Sequence, residues 1–445
     1  MKKQYIIPML MILMIFILPV DIMNQPNWWN CDWGKRKQIT INNVGSSVLT
    51  DFPAYIRVMY DPDMQNDYDD LRFISGTTEL DYEIEYHDNS YAEVWVRIPT
   101  MAIGTTAIYM YYDNPAVGSG ETIASVWDTS YVMIHHMGGN TYSDIDDSTA
   151  HNNDVTSESG DPAYNTAGKV GDAIDFDGND YLSVDDSSSL DISRDITLEA
   201  WIYLKNETGN QNVNQKGNNY ALFEIRSGGT PYCVLYDGSW QKFNFNHNAA
   251  WFKNGWHYIA VTYDGTTVRT IVDGESPLSY SYSKNLTQNN DKLGIAINEA
   301  WKNAPFTGII DEMRISDKAR TDDWILQSYH MIANQTTYVH FGDEERERCD
   351  GALFHPPYQP PDFNESMRSL ASHRISQVQS LLEEVQGLLT ELDQSSSTSC
   401  FDRLTEVETY LEKAETFFMS GNYIAANYWV LQAYNLLQEI QECFT

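Results

Sequence analysis

Basic residues are the first shortage. The 445 residues include 28 Lys and Arg against 63 Asp and Glu, a formal charge of −35. So acidic a chain repels phosphate backbones, which argues against nucleic acid as a partner and for a solvated exterior or cation binding. Cysteine is scarce as well. The five residues Cys31, Cys233, Cys349, Cys400 and Cys443 form no Cys-x-x-Cys pair, so neither a thiolate metal site nor a redox motif is indicated. After residue 20 no apolar run is long enough to cross a bilayer as a helix. There is no Gly-x-Ser-x-Gly elbow, no His-Glu-x-x-His and no glycine-rich phosphate loop. These chemistries lose their usual carriers, and the chain reads as a non-enzyme with no catalytic residue to name.

What the sequence does hold begins at its N-terminus. Lys2 and Lys3 precede an apolar run over 5–20, interrupted by Pro8 and Pro19 and closed by Asp21. A basic start and a short apolar core mark an export signal. No small-x-small cleavage motif follows, so residues 1–25 read as either a cleaved signal or a retained N-terminal anchor. Membrane contact would run through that anchor alone. The expected location is extracellular or on the cell surface. Export also permits disulfides and gives a use to four Asn-x-Ser/Thr sequons, at Asn206, Asn285, Asn334 and Asn364.

Residues 28–127 form a first unit. Short stretches rich in β-branched and aromatic residues lie at 37–41, 54–59, 93–98 and 107–112, with turn residues such as Asp61-Pro62, Ser75-Gly76 and Asn114-Pro115 between them. Val94, Val96 and Ile98 alternate with Trp95 and Arg97, the period of a strand. A β-sandwich is expected. Trp33, the run 35–43, Leu49 to Pro53, Asp70-Leu71-Arg72-Phe73, the runs 80–85 and 94–99, and Tyr111-Tyr112-Asp113-Asn114-Pro115 occur in this order. The arrangement resembles the domain-of-unknown-function family number 2341 of exported prokaryotic proteins. That resemblance implies an accessory β-sandwich with no established chemistry.

Residues 128–345 form a second unit with ten or more short strand patterns, among them 132–136, 173–176, 196–203, 257–263, 267–272 and 308–315. Asp264-Gly265 and Asp273-Gly274 bracket one strand as two hairpin turns. A large jelly-roll sandwich is expected. The runs 168–178, 181–184, 196–202, 256–263 and 308–316 resemble the laminin-G-like, concanavalin A-like jelly roll. The resemblance implies binding of carbohydrate or protein, often with calcium. Read from the residues alone, Leu198, Trp201 and Ile202 fill a core, and Gly178 and Gly308 serve positive φ or a close backbone approach.

Residues 346–364 form a linker, stiffened by Pro356-Pro357 and Pro360-Pro361. Residues 365–445 change to a helical period. Ile375, Val378, Leu382, Val385 and Leu389 make one apolar stripe, Leu404, Val407, Leu411 and Phe418 a second, and Ile424, Tyr428, Leu431 and Leu436 a third. A three-helix mini-bundle follows. Antiparallel second and third helices put Cys400 and Cys443 at one end, so a Cys400–Cys443 disulfide is expected, contributing about 4 kcal/mol in the chain-entropy model. Cys233 sits in a strand pattern and reads as a buried free thiol. A pairing of Cys31 with Cys349 is left open.

The fold class is therefore mainly β: an N-terminal β-sandwich, a concanavalin-like jelly roll and a small C-terminal three-helix bundle. A jelly-roll glycosidase needs two carboxylates about 5–9 Å apart. Glu83-x-Glu85 lies in the wrong domain, and Asp311-Glu312 point to opposite faces of a regular strand. His135-His136 is set aside as a metal pair for the same reason. Calcium, with six to eight oxygen ligands, is the cofactor expected, drawn from Asp146, Asp147, Asp177, Asp180 and Asp311; the competing reading makes these aspartates turn residues that bond their own backbone. The expected function is an exported adhesive or carbohydrate-binding surface protein whose partner is a glycan or a surface protein. Alternatives are a structural subunit of a surface layer or filament, self-assembling through the helical tail, and a polysaccharide-degrading enzyme or its accessory subunit. A concave jelly-roll face that is aromatic with a polar rim would favour sugar; a flat apolar one would favour assembly.

Overall fold

The computed structural model describes residues 28–226, 229–299 and 301–347, and parts of 372–382, 398–419 and 426–436. The export segment, most of the linker, the Asn364 sequon and the Cys400–Cys443 pairing lie outside the described residues. The chain divides into a unit up to residue 349 and one from residue 350.

In the first unit the strands run in two sets. β1 (Lys35–Asn43), β2 (Leu49–Met59), β3 (Arg72–Ser75), β4 (Thr78–Glu79), β5 (Tyr82–His87), β6 (Tyr91–Met101) and β7 (Gly104–Tyr112) come first. After a short helix α1 (Ile123–Val126) follow β8 (Tyr131–His135), β9 (Val155–Ser159), β10 (Ala163–Ala167), β11 (Asp172–Asp177), β12 (Tyr181–Val184), β13 (Ile196–Leu204), β14 (Gln211–Asn212), β15 (Asn214–Lys216) and β16 (Tyr220–Ile225). Then come β17 (Tyr232–Tyr236), β18 (Trp240–Asn244), β19 (Trp256–Tyr263), β20 (Thr267–Val272), β21 (Leu278–Ser281), β22 (Leu293–Ile295) and β23 (Thr307–Ser316). α2 (Asp322–Ala333), α3 (Gln335–Tyr338) and β24 (Val339–Arg346) close the unit.

The first sandwich packs the sheet β24-β1-β7-β3-β4 on the sheet β2-β6-β5. Val94, Val96 and Ile98 of β6 enter its core, as their spacing predicts. The jelly roll packs one eight-stranded sheet, β10-β11-β23-β13-β19-β20-β21 with β8 on β23, against a second, β18-β17-β16-β15-β22-β12-β9 with β14 on β16. Ile196, Leu198, Ala200, Ile202 and Leu204 of β13 fill the core between them. Trp201 points the other way and joins the core of the first sandwich, together with Tyr258 of β19 and Ile271 of β20. The turns flanking β20 stand where Asp264-Gly265 and Asp273-Gly274 placed them, with φ of 77° at Gly265 and 68° at Gly274. Gly308 meets the close approach expected of it: a Cβ there would lie 2.2 Å from the Tyr203 carbonyl oxygen.

The domain boundary differs from the expectation. Residues 317–345 do not finish the jelly roll. α2 is capped by Thr321, whose side chain accepts from the Trp324 N–H, and Asp322 and Asp323 suit its N-terminal dipole. Trp324, Ile325, Met331 and Ile332 enter the first sandwich, with the Trp324 ring edge-on to Phe52 at 4.9 Å. β24 then pairs antiparallel with the outer edge of β1, from Lys35↔Arg346 to Ile41↔Val339. The jelly roll is thus an insertion within the first sandwich. An unpaired β1 edge would have been a template for aggregation, and the strand that covers it lies too far along the chain for any local pattern to name it.

Cys233 is buried and free, as expected, and burial pushes its thiol up. Cys31 is disulfide-bonded, with its partner outside the described residues. In the second unit the helix Thr398–Met419 buries Val407, Leu411 and Ala414 against Ile375, Val378 and Leu382 of the first expected stripe and against Val430 and Ala433. No helix of the described residues is long and apolar enough to cross a membrane.

Trp324→Ala should destabilise the first unit by about 3–5 kcal/mol, read as a lowered urea midpoint. An unchanged midpoint would mean that α2 is not part of this core.

Candidate functional site

The five aspartates named for calcium fall in three places: Asp146 with Asp147, Asp177 with Asp180, and Asp311 by itself. Asp147 is buried, and its carboxylate accepts the N–H groups of Ile134, Thr149 and Asn153 at 2.9–3.0 Å. Asp180 accepts from Asp161 N and Asp177 N at 2.9 and 3.0 Å, and Asp177 accepts from Asn179 N. Asp311 holds the N–H groups of Lys169 and Val170. Each of these four accepts backbone N–H groups, and Asp146 is exposed. Of the described sequons, Asn285 and Asn334 are exposed and Asn206 is half-buried.

The face of the second jelly-roll sheet that turns away from the core carries an aromatic ridge. Tyr232, Val234 and Ala221 form a small apolar cluster there with Trp240. Trp240 meets Tyr236 at 4.8 Å and Trp301 at 5.4 Å, both edge-on, and Trp301 is 50% exposed. Trp301 rides on the loop after β22. Asn298 accepts its N–H at 3.3 Å, and Glu299 lies over Gly294, where a Cβ would come within 2.7 Å of the Glu299 Cβ. Beneath the ridge are buried polar side chains: Asn212 donates to Gln215 at 2.6 Å, while Asn212 Oδ1 and Glu299 Oε2 have no hydrogen-bond partner. Glu224 is paired with Arg226 and Glu299 with Lys302. Beyond the 236–240 turn a polar cleft of about 370 Å³ is lined by Asp237, Gln241, Thr266, Tyr282 and Lys284. None of these aromatic residues stood out in the sequence: Tyr236 and Trp240 sit in strand patterns that a core aromatic would share, and Trp301 lies in a loop with no pattern.

A second constellation lies between the two sandwiches. Glu83 and Glu85 of β5 were assigned to the wrong domain for chemistry, yet they face the jelly roll. Asp311 and Glu312 were expected on opposite faces. β23 instead carries a β-bulge: its register on β13 slips between Glu199↔Arg314 and Trp201↔Asp311, and Glu312 takes φ 51°. The extra residue lets Asp311, Glu312 and Arg314 all meet the interdomain space. His135 and His136 do part as expected. His135 Nε2 contacts the Asn153 carbonyl at 2.8 Å, whereas His136 Nδ1 lies 2.6 Å from Glu312 and 3.1 Å from Glu85. The His136 Nε2 is 3.3 Å from Glu83 but outside hydrogen-bond geometry. Indoles complete the set: Trp95 donates to Glu85 at 2.7 Å and Trp127 to Glu83 at 2.8 Å, while Ser148 donates to Glu83 at 2.6 Å. Arg314 donates to Glu312 and stacks over Trp95 at 4.3 Å.

The electrostatics follow from this crowding. Burial, reinforced by the charge of Glu312, pushes the Glu85 carboxyl up to about 8, with His136 offsetting part of the rise. Burial alone would drag His136 down, but Glu312, Glu85 and Glu83 outweigh it and hold the imidazole well above its usual range. Glu312 has burial against it too, and His136 and Arg314 bring it down to about 2. Burial and the Glu312 charge lift Asp311 well above the carboxylate range.

Two family models match parts of the chain. Residues 176–326 match the concanavalin A-like lectin/glucanases superfamily model. Residues 67–156 match the model of a domain of unknown function, DUF2341. No curated protein matches the chain. Among solved structures, the binding domain of Paraclostridial Mosquitocidal Protein 1 matches at 15% identity and a TM-score of 0.39, over 46% of this chain and 53% of that one. The receptor binding domain of botulinum neurotoxin C/D mosaic serotype matches at 16% identity and 0.38, over 45% and 51%. The chain thus spans about half the length of these two. Domain 4 of AbnA, a GH43 extracellular arabinanase from Geobacillus stearothermophilus in complex with arabinotriose, matches at 19% and 0.36, over 44% and 97%.

Between pH 6.5 and 9, above the range in which the buried His135, held low by burial, acts the other way, stability in chelator should fall as pH rises. The fold keeps protons on Glu85 and His136 that the unfolded chain releases from about pH 4.5 and 6.5 upward. Glu312 acts oppositely, but only below about pH 4.5. Thermal melts check this, and Glu85→Gln should flatten the slope. A wild-type melting temperature that rises from pH 6.5 to 9 contradicts the assignment.

Proposed function

We propose that this is an exported surface protein that binds carbohydrate through the outward face of its jelly roll. The observation that carries the reading is the ridge of Tyr236, Trp240 and half-exposed Trp301 beside a polar cleft. Aromatic faces suit the C–H faces of sugar rings, and a few fixed polar groups suit their hydroxyls. The concanavalin A-like match over residues 176–326 supports a binding role. The export reading is supported by the signal-like 1–25 segment and by a disulfide at Cys31, a bond suited to an oxidising compartment.

Binding fits these residues better than hydrolysis. A glycosidase acid or nucleophile must be free to meet its substrate. The two carboxylates beneath the ridge are each paired with a cation, Glu224 with Arg226 and Glu299, through Oε1, with Lys302.

The test is a polysaccharide panel scored by affinity and thermal shift, because a ligand of the folded state alone raises stability. Trp240→Ala and Trp301→Ala should each weaken the best binder by about tenfold or more, about 1.4 kcal/mol, with Trp301→Ala leaving the melting temperature unchanged. No binder on the panel, together with self-association of the wild-type chain, would replace this reading with surface assembly.

A further inference from the structure

We propose that the constellation between the two sandwiches is a metal site, in which Glu85 of the first sandwich and His136 and Glu312 of the jelly roll hold one divalent transition-metal ion that staples the domains together.

Geometry is the first support. The ligand atoms of Glu85, His136 and Glu312 all lie within 4.8 Å of one another. Two carboxylate oxygens converge on one ring nitrogen, His136 Nδ1, at 2.6 and 3.1 Å. A single N–H aims well at only one of them, whereas a cation among the three atoms serves all. Charge is the second. With His136 neutral, as a ligand must be, Glu83, Glu85 and Glu312 against Arg314 leave two negative charges in a largely buried space. One divalent ion balances them.

The third support is that each ligand is already oriented by another group, the usual mark of a built metal site. Trp95 holds Glu85 at 2.7 Å. Arg314 takes the far oxygen of Glu312, Oε2, and leaves Oε1 turned to the histidine. Glu83, anchored by Trp127 and Ser148, stands 3.3 Å from His136 Nε2, the ring nitrogen opposite the converging pair. That nitrogen has no hydrogen-bond partner, nor has Oδ1 of the fully buried Asp311 beside the cluster. A ring turned slightly to bond Glu83 would present Nδ1 to the metal. Glu83 is thus a positioning residue rather than a ligand. One imidazole with two carboxylates suits Zn²⁺ or Mn²⁺; Ca²⁺ and Mg²⁺ prefer an all-oxygen shell.

The experiment uses the full chain, produced in medium supplemented with Zn²⁺ and Mn²⁺. Metal content is measured by mass spectrometry, and thermal melts are run with and without chelator. About one equivalent of Zn or Mn per chain, and a melting temperature lowered by chelation, are expected. Glu85→Gln should bind none and should melt alike with and without chelator. Glu83→Gln should keep the stoichiometry but bind 10–100-fold more weakly. Wild-type protein that is metal-free and indifferent to chelator overturns the proposal, and this arm needs no variant to fold. Full metal occupancy in Glu85→Gln overturns it as well, and so does stabilisation by Ca²⁺ alone.

Discussion

Charge that has left water must be matched on the spot, and this sets the terms for the whole first unit. Glu83, Glu85, Glu312, Asp311, Arg314 and His136 are nearly or fully removed from solvent where the two sandwiches meet. Any one of them exposed to the apolar surroundings without its partners would cost several kcal/mol. Glu83 and Glu85 come from the first sandwich and the other four from the jelly roll, so neither sandwich can bury its share alone. The interface is satisfied as a whole or not at all.

Those apolar contacts are nonetheless continuous. The core of the first sandwich runs through β2 and β6 to Trp201, Tyr258 and Ile271 on the back of the jelly roll and takes in α2. One face of β13 thus serves the jelly roll and the other serves its host. The insertion topology makes this possible. Because the chain returns through α2 to pair β24 with β1, both ends of the inserted domain are tied to the same sandwich. The opposite jelly-roll sheet is left free of structural duty toward the host, and the aromatic ridge stands there.

Local regularity carried most of the legible signal. The alternation in β6, the Asp-Gly turns around β20, the buried thiol of Cys233 and the helical stripe over Thr398–Met419 each depend on a few neighbouring residues, and each stands where its spacing put it. The illegible features share a different property. The bulge at Glu312 breaks the period on which the face assignment of Asp311-Glu312 relied, and Glu83-x-Glu85 acquires meaning only from residues of another domain. The pairing of β24 with β1 and the meeting of Trp240 with Trp301 likewise join distant stretches. An acidic pair followed by Arg314 inside an apolar strand was the one local hint, since ionisable residues in such a place need partners that the strand cannot supply.

The pairing of β1 with β24 also decides how the molecule meets mechanical load. β1 begins at Lys35 and β24 ends at Arg346, and these two residues face each other across one ladder. Tension between the flanking segments therefore passes across this strand pair and bypasses the inserted domain. It would peel the ladder from that end, one rung at a time, were the end not reinforced. Lys35 is bonded to Glu344 at 3.0 Å and Arg36 to Glu345 at 2.6 Å, and the Glu347 N–H reaches the Gly34 carbonyl at 2.8 Å. The jelly roll, with its outward face, is held out of the line of force, so the chain can be pulled without its exposed ridge being distorted.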